Sequence, residues 1–492
     1  MSAPTLSVPW QAETDRARAA QTCWASMPIR ERIRPLVKLR RQLVVEADAL
    51  CDAVLRDIGR PAAEVLSTDI APTAEAIRFL ERRATRILRP ARVAAGDRPI
   101  WLWGQRDVIY RRPHGVVGII GTWNYPIFLN TVQISQALTA GNAVLWKPSE
   151  FMPTTAARLH QLFLQAGYPV DLVQMLPATR EAGPELLEAE IDHLVFTGSG
   201  AVGRRIAARL GERLMSSTLE LSGIDAVFVC ADADLLLAAR AVWFGITLNK
   251  GQTCLAVRRI FVDRSIYPPF IDMLQKIGSK STAMTLVLPS QATQADALLR
   301  DAASHGATIW RAVTNHENAH AISPALVIDA RPEMRICHEP VFAPVAAVIP
   351  YDTLEEAIRS HESCEYGLGA AIFTAEHRQV ASWAARLKVG VVTVNDVIVP
   401  TAHPATPFGG RKASGWGVTQ GAEGLLGMTV PQVVSVRTGT WRPHYEPLDE
   451  ASPISALLRG WLHWQHGDTR TRWSGLWTML TAAYRACRKH VF

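Results

Sequence analysis

None of the seven cysteines (Cys23, Cys51, Cys230, Cys254, Cys337, Cys364, Cys487) forms a Cys-x-x-Cys pair, and their number is odd. Disulfide scaffolds and zinc ribbons need paired, regularly spaced cysteines, so reduced thiols and no metal site are expected. No apolar run reaches the roughly 18 residues that a membrane-spanning helix requires. Residues 1–24 carry Glu13, Asp15, Arg16 and Arg18 where an export signal needs an apolar stretch, which makes the cytoplasm the expected compartment. Repeats and low-complexity tracts are also missing, which excludes solenoids and long disordered segments. The formal charge of +7 and pI near 9.1 permit anionic partners. The cations are nevertheless scattered, apart from residues 30–41 and 443–492, and no nucleic-acid module is present. What remains is a chain of 492 residues, 48% of them hydrophobic, enough to build two to four globular domains.

Apolar residues at Leu36, Leu39, Leu43, Val44, Ala47, Leu50, Cys51, Val54 and Leu55 predict one amphipathic helix over 33–55. A second helical pattern runs over 62–87, and 101–110 alternates as a strand closed by Arg111-Arg112-Pro113. From there strands at 116–120, 143–147, 172–176 and 193–196 alternate with helices at 127–139 and 154–166. Such alternation predicts a parallel sheet, whose ligands bind at the carboxyl ends of the strands. A second set of strands, at 226–230, 258–262, 343–349, 370–373 and 391–395, alternates with helices near Phe270, Asp296, Leu354 and Ala381. The expected fold class is α/β with two parallel-sheet domains.

Two stretches carry chemistry. Thr247-Leu248-Asn249-Lys250-Gly251-Gln252-Thr253-Cys254 delivers one thiol to a loop between a helix at 235–248 and the strand at 258–262, where functional residues concentrate. Phe196-Thr197-Gly198-Ser199-Gly200-Ala201-Val202-Gly203 fits G-x-G-x-x-G, with glycines that let backbone N–H groups approach a pyrophosphate at a helix N-terminus. That motif calls for an acidic residue about twenty positions on, which here is Glu220. Glu220 ends an apolar strand before Leu221-Ser222-Gly223, a setting that also raises a carboxyl pKa and suits a general base. Both readings of Glu220 stand at this point.

The assembled pieces resemble the aldehyde dehydrogenase superfamily over residues 30–440. They are Gly121-Thr122-Trp123-Asn124-Tyr125-Pro126, Lys147-Pro148-Ser149-Glu150, the glycine turn, Leu219 to Gly223, Gly251-Gln252-Thr253-Cys254, Phe342-Ala343-Pro344-Val345, Pro407-Phe408-Gly409-Gly410 and Ser414-Gly415. The Thr-Trp-Asn-Tyr-Pro wording looks most like the class 3 branch, which includes fatty-aldehyde enzymes. The resemblance implies NAD, or NADP, as cofactor and an aldehyde as substrate. It makes Cys254 the nucleophile, Asn124 an oxyanion donor and Glu220 the base. Thr122, Trp123, Lys147, Glu150, Gly198, Ser199, Val202, Gly203 and Phe342 become the cofactor-binding set. It further implies a dinucleotide-binding domain from 1–98, 113–221 and 404–430 and a catalytic thiol domain at 222–403. Residues 99–112 and 431–442 would form an oligomerisation element that makes a homodimer.

The chain departs from the pattern in places. Ser222 and Ile224 replace a glycine and a lysine, and Ala343 replaces a glycine. Pro340 stands where the family's nicotinamide-ribose glutamate would be, with Glu339 one residue early. Beyond the family core, 443–492 carries two amphipathic patterns, one of Ile454, Leu457, Leu458, Trp461 and Leu462, the other of Trp473, Leu476, Trp477, Leu480, Tyr484 and Cys487. They are accompanied by Arg459, Arg470, Arg472, Arg485, Arg488 and Lys489. Residues 454–492 thus suit a peripheral position on the inner membrane surface, or a helical pair docked on the protein itself or its dimer mate. The competing functional expectation is a catalytically weak dehydrogenase-fold protein that acts as a membrane-associated scaffold.

Overall fold

The computed structural model describes residues 9–99, 102, 104–313, 321–440, 442, 445 and 453–488. Residues 101 and 103 of the strand expected at 101–110, Lys489, and the side chains of Cys487 and Arg488 lie outside them. Two compact units result, one of Met1–Arg89 with Arg111–Val430 and one of Pro90–Tyr110 with Pro431–Phe492.

The larger unit contains both expected sheets. In the six-stranded sheet the order is Gly415–Trp416, Ser216–Glu220, His193–Thr197, Val116–Ile120, Ala143–Lys147, Val173–Met175, with every pair parallel except the first. Chain order reverses between Val116–Ile120 and His193–Thr197, and such switch points open a crevice at the strands' carboxyl ends. The central strands Val116–Ile120 and Ala143–Lys147 are buried along their whole length because both faces are covered. Leu36, Leu43, Ile134, Phe163 and Leu210 from the surrounding helices join Val117 and Leu194 in one buried cluster.

The seven-stranded sheet runs Thr308–Arg311, Ala325–Ile328, Val345–Tyr351, Val257–Asp263, Asp225–Val229, Gly369–Phe373, Val391–Val394, parallel except at the first pair. Alternate residues of its central strands enter two separate cores. Phe228, Phe261, Ala347 and Ile372 belong to one, and Val227, Ile260, Val348 and Ala371 to the other. That division follows directly from the period of two along a strand.

Several expectations need correction. The helix expected over 33–55 is two, Ile29–Val45 and Ala47–Ile58, broken at Glu46. Val44 and Leu55, expected in the core, face solvent at 58% and 52% exposure, each one position past the buried Leu43 and Val54. The helix over 62–87 is interrupted by a π-turn at Leu66–Ile70. Pro72 follows it and has no N–H to offer, while the Ala71 N–H reaches back to the Leu66 carbonyl in the wider π pattern. The strand expected at 101–110 lies at Gln105–Pro113. The helix Gln11–Ser26 and the strands Thr308–Arg311 and Ala325–Ile328 are additional to the expected elements.

In the smaller unit the tail forms two helices, Pro453–His466 and Thr469–Arg488. They approach closely at two glycines: a Cβ on Gly475 would stand 2.6 Å from the Gly460 carbonyl oxygen and 2.5 Å from the Trp464 nitrogen. Asp468 starts the second helix by accepting the Thr471 N–H at 2.8 Å and the Arg470 N–H at 3.1 Å. The small face of that helix, at Gly475 and Ala482, is buried, whereas Trp473, Trp477, Leu480 and Tyr484 are 77%, 71%, 57% and 61% exposed. Its large apolar stripe therefore faces outward.

Candidate active site

The helix Leu235–Thr247 ends in a tight turn, where Asn249, Lys250 and Gly251 take consecutive left-handed conformations (φ 49°, 60° and 74°). Glycine is required at the third of these positions. A Cβ on Gly251 would lie 2.4 Å from the backbone carbonyl carbon of Ala343. The buried Arg258 guanidinium fastens the turn by donating to the carbonyls of Gly251, Ala343 and Val345. Three residues after Gly251 the chain presents Cys254, half-buried and just before the strand Val257–Asp263. Burial, then the charges of Asp225 and Glu220, push its thiol up to about 12. In the free protein Cys254 is held as a thiol, poorly nucleophilic until deprotonated.

Glu220 is the last residue of Ser216–Glu220 and is buried. Its carboxylate accepts from the Thr419 hydroxyl and, at 3.4 Å, from the Thr197 hydroxyl. Burial outweighs these two bonds and pushes the carboxyl up to about 7, the range of an effective base near neutrality. Thr419 was not picked out from the sequence. It lies almost two hundred positions away, and only the antiparallel strand Gly415–Trp416 beside Ser216–Glu220 brings its neighbourhood in.

Within the glycine turn the residues differ in what they do. A Cβ on Gly198 would stand 2.4 Å from the Phe196 ring, and one on Gly203 would stand 2.4 Å from Leu221, so Gly203 lets the helix Gly200–Glu212 pack on its strand. Gly200 meets only ordinary contacts. Ser199 caps that helix by accepting the Val202 N–H at 3.4 Å.

The loop after Val116–Ile120 carries Thr122, Trp123 and Asn124. The Thr122 hydroxyl donates to Asn124 Oδ1 at 2.9 Å, and Asn124 Nδ2 donates to the Gln252 carbonyl at 3.1 Å. The amide is thereby fixed beside the cysteine loop, with its second N–H uncommitted among the described residues. Trp123 meets the edges of Phe151 and Phe342 at 6.2 and 6.0 Å between ring centres.

These elements line a cleft of about 400 Å³ that brings together Thr122, Trp123, Asn124, Gly198, Ser199, Glu220, Cys254 and Phe342. Lys147, Glu150, Val202 and Gly203 do not line it. Lys147 ends the strand Ala143–Lys147, where its ammonium lies 3.4 Å from Glu150, whose other oxygen is 3.5 Å from Arg180. Against the opposing effect of burial, its own backbone N–H and then these cations hold the Glu150 carboxyl below its usual range. Gln291 and Gln294, missed in the sequence, also line the cleft. Gln291 Oε1 accepts the Phe342 N–H at 2.8 Å, and Gln294 Nε2 donates to the Pro340 carbonyl at 3.2 Å.

A second cavity, about 130 Å³, is also lined by Cys254. Its walls include Pro72, Tyr125, Phe128, Phe244, Leu248 and Ile398. The thiol thus stands where the cleft and a more apolar channel meet.

Residues 10–434 match the aldehyde dehydrogenase family. The chain belongs to that family. It is 32% identical over 476 residues to the 4,4'-diapolycopene aldehyde oxidase of a Methylomonas species, covering 93% of this chain and 87% of that one. It is 30% identical over 420 residues to a probable coniferyl aldehyde dehydrogenase of Pseudomonas aeruginosa, covering 84% and 87%. Among solved structures, the NAD+ complex of an aldehyde dehydrogenase from Bacillus cereus superposes with a TM-score of 0.82 at 29% identity, covering 87% and 88%. The reaction class is that of the family, NAD(P)-dependent oxidation of an aldehyde.

For an aldehyde dehydrogenase, the cleft and the end of the strand Ala143–Lys147 carry groups that fit a dinucleotide. A capped helix N-terminus opens at the switch point, and the Glu150 acceptor sits among cations at a strand end. The flat apolar rings of Trp123 and Phe342 line the same cleft as the thiol. The departure at Pro340 is genuine at the side-chain level. Pro340 lines the cleft, whereas Glu339 does not, being drawn onto Arg335 by paired bonds of 2.7 and 3.1 Å.

Proposed function

We propose that this aldehyde dehydrogenase oxidises a lipophilic aldehyde to its carboxylic acid through a thioester on Cys254. The observation that carries this reading is that one thiol lines both the cleft and the more apolar channel. The relative named for diapolycopene aldehyde and the class 3 wording of the Thr122–Pro126 loop support a lipophilic substrate. The deprotonated sulfur adds to the aldehyde carbon, and the carbonyl oxygen becomes an oxyanion. The free N–H of Asn124 and the backbone N–H of Cys254 are the donors for that charge, each such donor being worth about 10²–10³ in rate. Lys147 and Glu150 hold the adenosine ribose, and the turn Gly198, Ser199, Val202 and Gly203 faces the phosphates. Thr122, Trp123 and Phe342 border the nicotinamide. When bound, NAD(P) supplies the hydride acceptor and a positive ring that favours the thiolate. Glu220 takes a proton from water, whose oxygen attacks the thioester carbon. The acyl–sulfur bond breaks, the acid leaves, and Cys254 regains its proton.

The bordering segments 1–98, 113–221 and 404–430 are assigned to dinucleotide binding and 222–403 to the thiol. The strand Thr429–Arg437 exposes Val430, Val433, Val434 and Val436 at 46%, 59%, 38% and 54%. So exposed an apolar strand calls for cover, and we assign it, with 99–112, to a homodimer contact. No helix among the described residues is long and apolar enough to cross a membrane. The outward stripe Trp473, Trp477 and Leu480, flanked by Arg470, Arg472 and Arg485, instead suits a peripheral place on an anionic bilayer.

The test is a series of straight-chain aldehydes of increasing length with NAD, followed by NADH absorbance. kcat/KM rises with chain length, and Cys254→Ala abolishes turnover while NADH binding persists. A preference for short or charged aldehydes would refute the lipophilic assignment.

A further inference from the structure

Arg60 and Asp69 form an ion pair with almost no solvent contact, 1% and 0% exposed, on a segment that none of the catalytic steps uses. Burying two charges costs several kcal/mol per ion, and apolar residues of the same size often fill such a space at no loss of stability. What the pair contacts therefore matters more than its own energy.

Arg60 spends its planar fork on four partners. Nε donates to Glu64 at 3.2 Å, Nη2 donates to the Thr68 hydroxyl, and Nη1 donates both to Asp69 and, at 3.1 Å, to the backbone carbonyl of Asn124. Its guanidinium carbon lies 4.8 Å from the centre of the Tyr125 ring, and the Tyr125 hydroxyl is 2.7 Å from that of Thr253, beside the nucleophile. Asp69 uses its other oxygen on the far end of the same loop, accepting the N–H groups of Ile127 and Phe128 at 3.0 and 2.8 Å. The two charges thus clamp the Asn124 loop in its middle and where it enters the helix Phe128–Ala140. A third bond, from Asn249 Nδ2 to the Asn124 carbonyl at 2.9 Å, ties that point to the cysteine turn. The clamp is possible because of the π-turn at Leu66–Ile70, which contributes both Thr68 and Asp69. Pro72 and Thr68 also belong to the wall of the apolar channel. One guanidinium therefore holds the wall that meets the substrate's tail to the amide that meets its carbonyl.

We infer that Arg60 and Asp69 are positioning residues for the reaction, holding the Asn124 amide at the height of the oxyanion without touching substrate or cofactor. The inference rests on Asn124 being the oxyanion donor. A displacement of a few tenths of an ångström in such a donor is enough to lose much of its effect, because its bond must be made at the position the charged oxygen will occupy.

The experiment is a double-mutant cycle on the full-length enzyme with a short soluble aldehyde. It combines Asn124→Ala with Arg60→Lys, which keeps the charge and loses the fork, and with Thr68→Val, which removes one partner of the guanidinium at constant volume and charge. The readouts are the rate of the first-turnover NADH burst, the KM for NAD, NADH binding by fluorescence and the melting temperature. Arg60→Lys is expected to slow the burst about tenfold or more and Thr68→Val severalfold, with KM for NAD and NADH affinity unchanged. In the Asn124→Ala background both effects shrink towards none, since the amide they position is gone. If the burst falls with Asn124→Ala and falls by the same further factor when Arg60→Lys or Thr68→Val is added, the pair acts on stability or elsewhere and the inference is wrong. If Arg60→Lys does not fold, the cycle with Thr68→Val decides by the same criterion. A burst that Asn124→Ala leaves intact would remove the oxyanion assignment itself, and this inference with it.

Discussion

Alkylating the free enzyme with iodoacetamide across about pH 7 to 11, in the absence of NAD, probes the state in which Cys254 waits for substrate. Cys254 stands at about 12 against an ordinary value of 9.0, a displacement of roughly three decades in thiolate population. Since only the thiolate alkylates, Cys254 at pH 8 should react about a thousandfold more slowly than a thiol of ordinary acidity. Peptide mass spectrometry follows Cys254 beside the exposed Cys23, which serves as an internal reference for reagent and time. The shape of the profile excludes mere obstruction: a blocked but acidic thiol levels off, whereas the Cys254 rate keeps rising through about pH 10. Glu220→Gln supplies the charge test. Glu220 titrates near 7, so above that pH its carboxylate opposes the thiolate and removing it should speed alkylation, while below that pH the variant and parent should agree. A Cys254 profile that levels off by about pH 9, or a Glu220→Gln variant that alkylates more slowly above pH 7, would refute the reasoning. The second result would make Glu220 the base that activates the thiol.

In turnover, Glu220→Gln should preserve the NADH burst and depress the steady state, and it should abolish the rise of kcat with pH through about 7, because thioester hydrolysis needs the ionised carboxylate. Steady-state and stopped-flow profiles check this. Pro340→Glu places a carboxylate where the cleft has none, and should tighten NADH binding about tenfold or more, at roughly 1.5–3 kcal/mol per charged hydrogen bond. Glu339→Gln should leave that affinity unchanged, because Glu339 is occupied by Arg335. Titration by fluorescence quenching distinguishes the two. Gly251→Ala should cost roughly 1–3 kcal/mol from its φ alone and displace the cysteine turn from Ala343, read as a lower melting temperature with loss of the burst. Replacing Trp473 and Trp477 by alanine should remove sedimentation with anionic liposomes while activity on a short soluble aldehyde persists. Undiminished sedimentation would leave the stripe to the protein's own contacts.

The sequence by itself determined the two parallel sheets, because strands buried on both faces are written as apolar runs of four to seven residues separated by glycine and polar turns. It also determined the order in which Asn124, the glycine turn, Glu220 and Cys254 arrive at strand and helix ends. Periodicity could not show the break at Glu46, where a single non-helical residue leaves the apolar spacing on either side unchanged, or the π-turn at Leu66–Ile70, where one extra residue in the turn does the same. The edge strand Thr308–Arg311 and its neighbour Ala325–Ile328 were similarly unmarked by alternation. Only the tertiary structure decided which polar groups face each other. Thr419 reaches Glu220, Arg60 reaches the Asn124 carbonyl, and Gln294 reaches Pro340 across 199, 64 and 46 positions. The same holds for the acidities of Cys254 and Glu220, which depend on burial that no local pattern encodes. The outward turn of Trp473 and Trp477 likewise came from the close crossing at Gly460 and Gly475, because a helix with a small face and a large apolar face packs whichever side its partner can approach more closely.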